Sequence, residues 1–208
     1  MLRIVCLSDT HNFHNEIIVP DGDVLIHAGD ATMRGTIDEI IFFNQWFKKQ
    51  PHRHKIFVAG NHDWLFETNN KFARELLDAS IFYLQDSFVE IEGLKIYGSP
   101  WQPRFYDWAF NLMRGEEIAE KWKLIPKDTD IIITHGPPYE ILDLTPNEDS
   151  AGCEELRKIV EEIRPKAHIF GHIHCGYGTT EKFGVKFINA SNCNESYLPV
   201  NSPIVFDI

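Results

Sequence analysis

Scarcity narrows the field first. None of the 208 residues falls in a window apolar over the roughly 20 residues that a bilayer-spanning helix needs. The opening MLRIVCLSDTH likewise holds no apolar run long enough for the core of a secretion signal. A cytoplasmic protein with no membrane partner is the expectation. Cys6, Cys153, Cys175 and Cys193 stand far apart with no CxxC pair, so the spacing predicts free thiols rather than a disulfide framework. Basic residues are short too: 20 Lys and Arg against 31 Asp and Glu give a net charge of −11. That balance disfavours stable binding to duplex nucleic acid. It leaves a phosphate-bearing substrate open, because divalent metals reverse the local field. Repeats, low-complexity tracts and Gly/Ser linkers are also missing, so one domain over residues 1–208 is expected.

What is present suits a packed core, with 43% hydrophobic and 12% aromatic residues. Apolar runs LRIVCL (2–7), DVLIHAG (23–29), KIFVAG (55–60), DIIITHG (130–136) and AHIFGH (167–172) read as strands buried on both faces. Residues 36–50 predict a helix capped by Thr36, with Ile37, Ile40, Ile41, Asn44, Trp46 and Phe47 near helical spacing. Residues 151–165 predict another, with Leu156, Ile159, Val160 and Ile163 buried and Pro165 as its stop. LQDSFVEIEGLKIYGSP reads as a hairpin turning at Glu92-Gly93. Strands alternating with helices mean an α/β fold with a largely parallel sheet.

In such sheets, ligand sites gather beyond the carboxyl ends of the strands. There stand SDTH (8–11), GD (29–30), GNHD (60–63), THG (134–136) and GHIH (171–174). Each alone is weak evidence, since a turn or a hydrogen-bonded core histidine explains it equally well. Together, Asp9, His11, Asp30, Asn61, His62, His135, His172 and His174 crowd five strand ends, which a chance distribution of ten histidines rarely gives. Carboxylate, amide and imidazole donors suit Mn²⁺, Fe or Zn²⁺. The set exceeds the needs of one ion. Two divalent metal ions about 3.5–4 Å apart, sharing one carboxylate, would use it in the manner of known phosphoryl-displacing sites. Cys175, directly after GHIH, has no partner thiol at metal-binding spacing and is left out.

The ordered set D-x-H, G-D, G-N-H-D, H and G-H-x-H resembles the calcineurin-like metallophosphoesterase superfamily along nearly the whole chain. IYGSPWQPRFYDWAFNL, ITHGPP, GHIHCGYG, INAS and PIVFDI resemble its metallophosphoesterase-domain-containing subgroup. The resemblance implies a four-layer αββα sandwich of mixed sheets flanked by helices. It implies that Asp9, His11 and His174 hold one metal, Asn61, His135 and His172 a second, with Asp30 bridging. It further implies attack on phosphorus by a hydroxide between the metals, with His62 as general acid, on a small phosphodiester such as a cyclic nucleotide. Related phosphatases place an Asp that orients the catalytic histidine, then a phosphate-binding Arg, in the loop after the bridging Asp. Here GDATMRG has Met33 and Arg34 at those positions. Asp63 is therefore the candidate to orient His62, and Arg34 the candidate to bind phosphate.

A phosphomonoesterase or protein phosphatase, a nuclease and a non-catalytic scaffold of the same fold stay open as alternatives. The aromatic segment from Trp101 to Phe110 reads chiefly as a loop packed on itself or at a subunit interface, and otherwise as a surface on which a base stacks. His27 and His168, inside apolar runs, are expected in the core. His14, His52 and His54 are expected in solvent. Nothing in the sequence sets the oligomeric state.

Overall fold

A computed structural model describes all residues from Met1 to Ile208. In chain order the strands are β1 (Arg3–Leu7), β2 (Val24–His27), β3 (His54–Phe57), β4 (Ile81–Tyr83), β5 (Ser87–Ile91), β6 (Leu94–Ser99), β7 (Gln102–Pro103), β8 (Asn111–Leu112), β9 (Ile131–Thr134), β10 (Ala167–Phe170), β11 (Gly178–Lys182), β12 (Val185–Asn189) and β13 (Ile204–Asp207). The α-helices are α1 (Ile37–Phe47), α2 (Leu65–Thr68), α3 (Asn70–Glu75), α4 (Glu116–Trp122) and α5 (Glu154–Ile163). No helix is long and apolar enough to cross a membrane.

Two sheets carry the fold. The first runs β13-β1-β2-β3-β4, parallel except for its edge strand β13. The second runs β11-β12-β10-β9-β6-β5, with a parallel centre and an antiparallel hairpin on each side. Burial of both alternating faces explains why their central strands β2 and β10 are apolar apart from His27 and His168. On β1, Ile4 and Cys6 face the opposite sheet while Val5 and Leu7 face helices; on β9, Ile131 and Ile133 face inward while Ile132 faces helices.

The three resulting cores define four layers. Between the sheets lie Ile26, Ile56, Val58, Ile96 and Ile169 with those inward residues. Ile40, Phe43 and Phe47 of α1 and Phe66 of α2 cover the outer face of the first sheet. Ile118 and Trp122 of α4 and Leu156 and Val160 of α5 cover that of the second. This is the expected αββα sandwich, with mixed sheets between helical layers.

Helix α1 starts where expected, at a Thr36–Glu39 capping box. Its buried stripe is Ile40, Phe43 and Phe47, however, and Ile37 and Ile41 are exposed. Two adjacent isoleucines at 40 and 41 cannot share one face, and the two phenylalanines at i+3 and i+7 decide for Ile40. The hairpin pairs Ile91 with Leu94 across Glu92-Gly93. Cys6, Cys153, Cys175 and Cys193 are free thiols.

Candidate metal centre

All five parallel strands named by sequence end on one rim, and the two sheets meet there. The loop after β1 supplies Asp9 and His11, that after β2 Asp30, that after β3 Asn61 and His62, that after β9 His135, and that after β10 His172 and His174. Asp9, His11, Asp30 and His172 all adopt left-handed backbone, φ between 41° and 68°. Such conformations cost roughly 1–3 kcal/mol per non-glycine residue and persist where surrounding structure imposes them. Gly171 is equally constrained: a Cβ there would lie 2.0 Å from Asp9 Oδ2.

Both carboxylates are fixed by main-chain amides, and each presents an oxygen to the surrounding imidazoles. Asp30 Oδ1 accepts from the His62 amide (2.8 Å), leaving Oδ2 at 3.3 Å from His135 Nε2, 3.8 Å from His11 Nε2 and 4.0 Å from His62 Nε2. Asp9 accepts from the His172 amide and from Ser191 Oγ, and its Oδ1 lies 3.4 Å from His174 Nε2. The imidazoles are aimed by the same device. His135 Nδ1 donates to the Ala28 carbonyl (3.0 Å) and His174 Nδ1 to that of Asn194 (2.9 Å), which turns both Nε2 atoms inward.

Three groups of side chains bring ligand atoms within 4.8 Å of one another: Asp9, His11 and His174; His11, Asp30 and His62; and Asp30, His135 and His172. Asn61 Oδ1 reaches His135 Nε2 at 2.9 Å, so it joins the third group. His11 belongs to the first two groups and Asp30 to the last two, so the three form one continuous cluster.

The chemistry of this donor set calls for a cation. With its Nδ1 proton committed, neutral His135 turns an Nε2 lone pair toward the lone pairs of Asn61 Oδ1 and Asp30 Oδ2. Only a proton or a metal at that point makes the contacts favourable. Burial opposes charging of His135, but Asp30 outweighs it and lifts the imidazole to about 9. Burial likewise opposes charging of His174, and Asp9 lifts it to about 9. Both carboxylates ionise despite burial: His174 holds Asp9, and His135 holds Asp30, below the ordinary range. Burial pushes His11 down to about 4 and His172 down to about 3, leaving both rings neutral near pH 7. The residues present fit two divalent cations.

His62 is 6% exposed and stands beside this cluster. Its Nδ1 donates to the Met33 carbonyl (2.8 Å), its face stacks on Trp108 (centroids 4.2 Å apart, 28° between planes), and its edge meets His11. The expectation that Asp63 orients this ring is therefore corrected. The Asp63 carboxylate accepts from the Gly60, Ala31 and Thr32 amides and from Thr32 Oγ1, tying the β2 and β3 loops together. Burial and the charge of Asp30 raise it to about 6. The orienting group is at position 33 after all, but it is the main-chain carbonyl of Met33, which no side-chain pattern reveals. Arg34 is exposed and is not among the residues that line the cleft.

The cleft over the cluster has a volume of about 320 Å³. Phe105, Tyr106, Trp108 and Tyr197 form much of its wall, with Thr145, Pro146, Cys175 and Glu195. The aromatic segment is thus split. Trp101 and Phe110 pack into the fold, whereas Phe105 and Tyr106 are exposed at the cleft. Tyr197, edge-on to His11 at 4.7 Å, and Glu195 were missed, since NESYLP carries no chemical motif. His14 and His52 correct the solvent expectation. His14 is fully buried against Phe42 and Trp46, and His52 is 2% exposed and bonded to the Pro20 carbonyl.

Two back-to-back sheets with carboxylates and imidazoles converging from both define a metal-site α/β sandwich of the phosphoesterase kind. The chain belongs to the calcineurin-like phosphoesterase family, whose model matches residues 2–176. It is 44% identical over 232 aligned residues to human metallophosphoesterase domain-containing protein 1, covering 99% of this chain and 71% of that one. It is 41% identical over 220 residues to a UPF0046 protein of Caenorhabditis elegans, covering 100% and 75%. Among solved structures, the phosphopantetheinyl hydrolase of Mycobacterium tuberculosis superposes with a TM-score of 0.64 at 17% identity, covering 93% of this chain and 90% of that one, which establishes a shared fold.

Proposed function

We propose that this protein is a dimetal phosphodiesterase acting on small, nucleotide-like diesters. The observation that carries the reading is the cleft itself: Asp30 and Glu195 are its only charged carboxylates, and no Lys or Arg lines it. A phosphomonoester brings a dianion, and a polynucleotide a row of phosphates; both call for basic side chains to share the neutralisation. A lone diester brings one negative charge, which cations at the rim can meet. The aromatic walls supply faces on which a nucleobase stacks, at about 1–3 kcal/mol per contact.

In this reading Asp9, His11 and His174 would hold one divalent ion and Asn61, His135 and His172 the other, with Asp30 within reach of both groups. Mn²⁺, Fe and Zn²⁺ all suit these donors. When bound, the ions neutralise phosphoryl oxygens and acidify water. His62 keeps its Nδ1 proton on the Met33 carbonyl, and in this reading its Nε2 is the atom that would hand a proton to the leaving oxygen. General acids of this kind contribute typically ~10²–10⁴-fold. Trp108 covers one of its faces and excludes water there.

The test is a substrate panel with added Mn²⁺: bis(p-nitrophenyl) phosphate, p-nitrophenyl phosphate, 2′,3′- and 3′,5′-cyclic nucleotides, and single-stranded DNA. Diesters and cyclic nucleotides should turn over well ahead of the monoester and DNA. A monoester preference would support a phosphatase. Turnover of nothing, unaffected by His62→Ala, would support a scaffold.

A further inference from the structure

His62 is aimed by a main-chain atom, and such an atom is only as well placed as the loop that carries it. The segment Asp30–Thr36 has no regular structure of its own. One carboxylate collects its amides. Glu39 Oε1 accepts from Met33 N (3.3 Å), and Oε2 accepts from Arg34 N (3.2 Å), Thr36 N (2.9 Å) and Thr36 Oγ1 (2.9 Å). Oε1 also accepts from Asn12 Nδ2 (2.7 Å), next to His11.

A capping box needs only the reciprocal Thr36–Glu39 pair. The donors from Asn12, Met33 and Arg34 are additional, and one belongs to the residue whose carbonyl receives the His62 proton. The loop is also pressed from its other side. Gly35 (φ 64°) lies so close to the 62–64 segment that a Cβ would stand 2.2 Å from Trp64 N. The same carboxylate thus fixes the approach of the Met33 peptide to His62 and the approach of the β1 loop to both.

We propose that Glu39 is a positioning residue for His62, acting through the main chain of Met33 so that Nε2 points into the cleft. The proposal rests on the reading of His62 as general acid. Glu39 itself does not line the cleft.

The test compares the unaltered protein with His62→Ala, Glu39→Gln and Thr36→Ala, the last removing the cap hydroxyl while leaving the carboxylate on Met33 and Arg34. Metal-free protein carrying ¹⁵N-histidine should show a protected His62 Nδ1–H signal, assigned by its loss in His62→Ala. That signal should survive Thr36→Ala and broaden or disappear in Glu39→Gln. With Mn²⁺, two diesters are then compared: one releasing p-nitrophenolate, which needs no proton, and a dinucleoside phosphate releasing an alkoxide, which does. Glu39→Gln should lower kcat about tenfold on the dinucleoside phosphate, with KM and the nitrophenyl substrate held within about twofold. Thr36→Ala should leave the ratio of the two substrates unchanged. If Glu39→Gln does not fold, Glu39→Asp keeps the charge, shortens the reach and carries the same expectation. A full Nδ1–H signal and an unchanged ratio in the Glu39 variant, with His62→Ala still selective against the alkoxide substrate, would overturn the positioning role alone. A His62→Ala variant with no such selectivity would overturn both.

Discussion

Histidines of this protein fall into two regions a few residues apart. His27 and His168 lie inside β2 and β10; His135, His172 and His174 lie just past the ends of β9 and β10. His27, His168 and His135 are all fully buried, so burial does not separate the regions. The destination of the lone pairs does. His27 Nε2 donates to Thr10 Oγ1 (3.0 Å), its Nδ1 accepts from the Gly29 amide (3.4 Å), and its ring meets Phe43, Phe47 and Phe57. His168 Nε2 donates to Thr134 Oγ1 (2.8 Å), whose own proton goes to the Gly136 carbonyl, and its ring meets Phe170 and Phe187. His135 and His174 instead spend the Nδ1 proton on a backbone carbonyl and turn Nε2 toward a carboxylate. The strand pair also steadies the rim, since Thr10 sits between Asp9 and His11, and Thr134 precedes His135.

Removing the atom that both rim clusters share should have the largest effect. Asp30→Asn should lower kcat/KM on a diester by about 10³-fold, equivalent to about 4 kcal/mol of lost charge stabilisation, and reduce bound Mn²⁺ below two per chain. Two bound ions with undiminished turnover would remove Asp30 from the centre. His62→Ala should cost ~10²–10⁴-fold in kcat while metal content, read by elemental analysis, stays unchanged. Metal loss in that variant would place His62 among the ligands instead. His172→Gly should weaken one ion selectively, by at least about tenfold in affinity, because the Asp9, His11 and His174 group is left whole. Equal depletion of both ions would contradict the partition.

Much of this difference is legible in the sequence, and the illegible part has a physical reason. Residues at strand ends carry their chemistry in side-chain type and order, which is why Asp9, His11, Asp30, Asn61, His135, His172 and His174 could be picked out and do converge. The unbroken apolar runs of β1 and β9 likewise announced strands buried on two faces. What the pattern hides are contacts made by main-chain atoms and by loops distant in sequence. The Met33 carbonyl replaces an acid that the loop lacks, and Asp63, an obvious substitute by type, is consumed by three amides and a hydroxyl. Tyr197 and Trp108 reach the same imidazoles from segments with no spacing relation to them. His14 misled for a related reason: a histidine in a polar loop reads as solvated until Phe42 and Trp46 of α1 fold over it.

The smallest effect tests the strand side of the comparison. Burial depresses His168 to about 3, against an ordinary histidine near 6.5, with no carboxylate opposing it. A group depressed in the folded state contributes stability that is complete above its unfolded pKa and is lost as pH falls toward the folded one. The unfolded chain therefore takes up a proton between pH 6.5 and 3 that the folded chain refuses, at a cost of about 2 kcal/mol by pH 5 for this one residue. His168→Phe keeps a ring among Phe170 and Phe187 but has nothing to protonate. Its absolute stability should fall, since Thr134 loses a partner, yet its urea midpoint should move less between pH 7 and pH 5 than that of the unaltered protein. The comparison cancels the rim groups, which are common to both proteins. Equal shifts in the two would mean that His168 protonates within the fold and that the strand and rim histidines differ less than their partners imply.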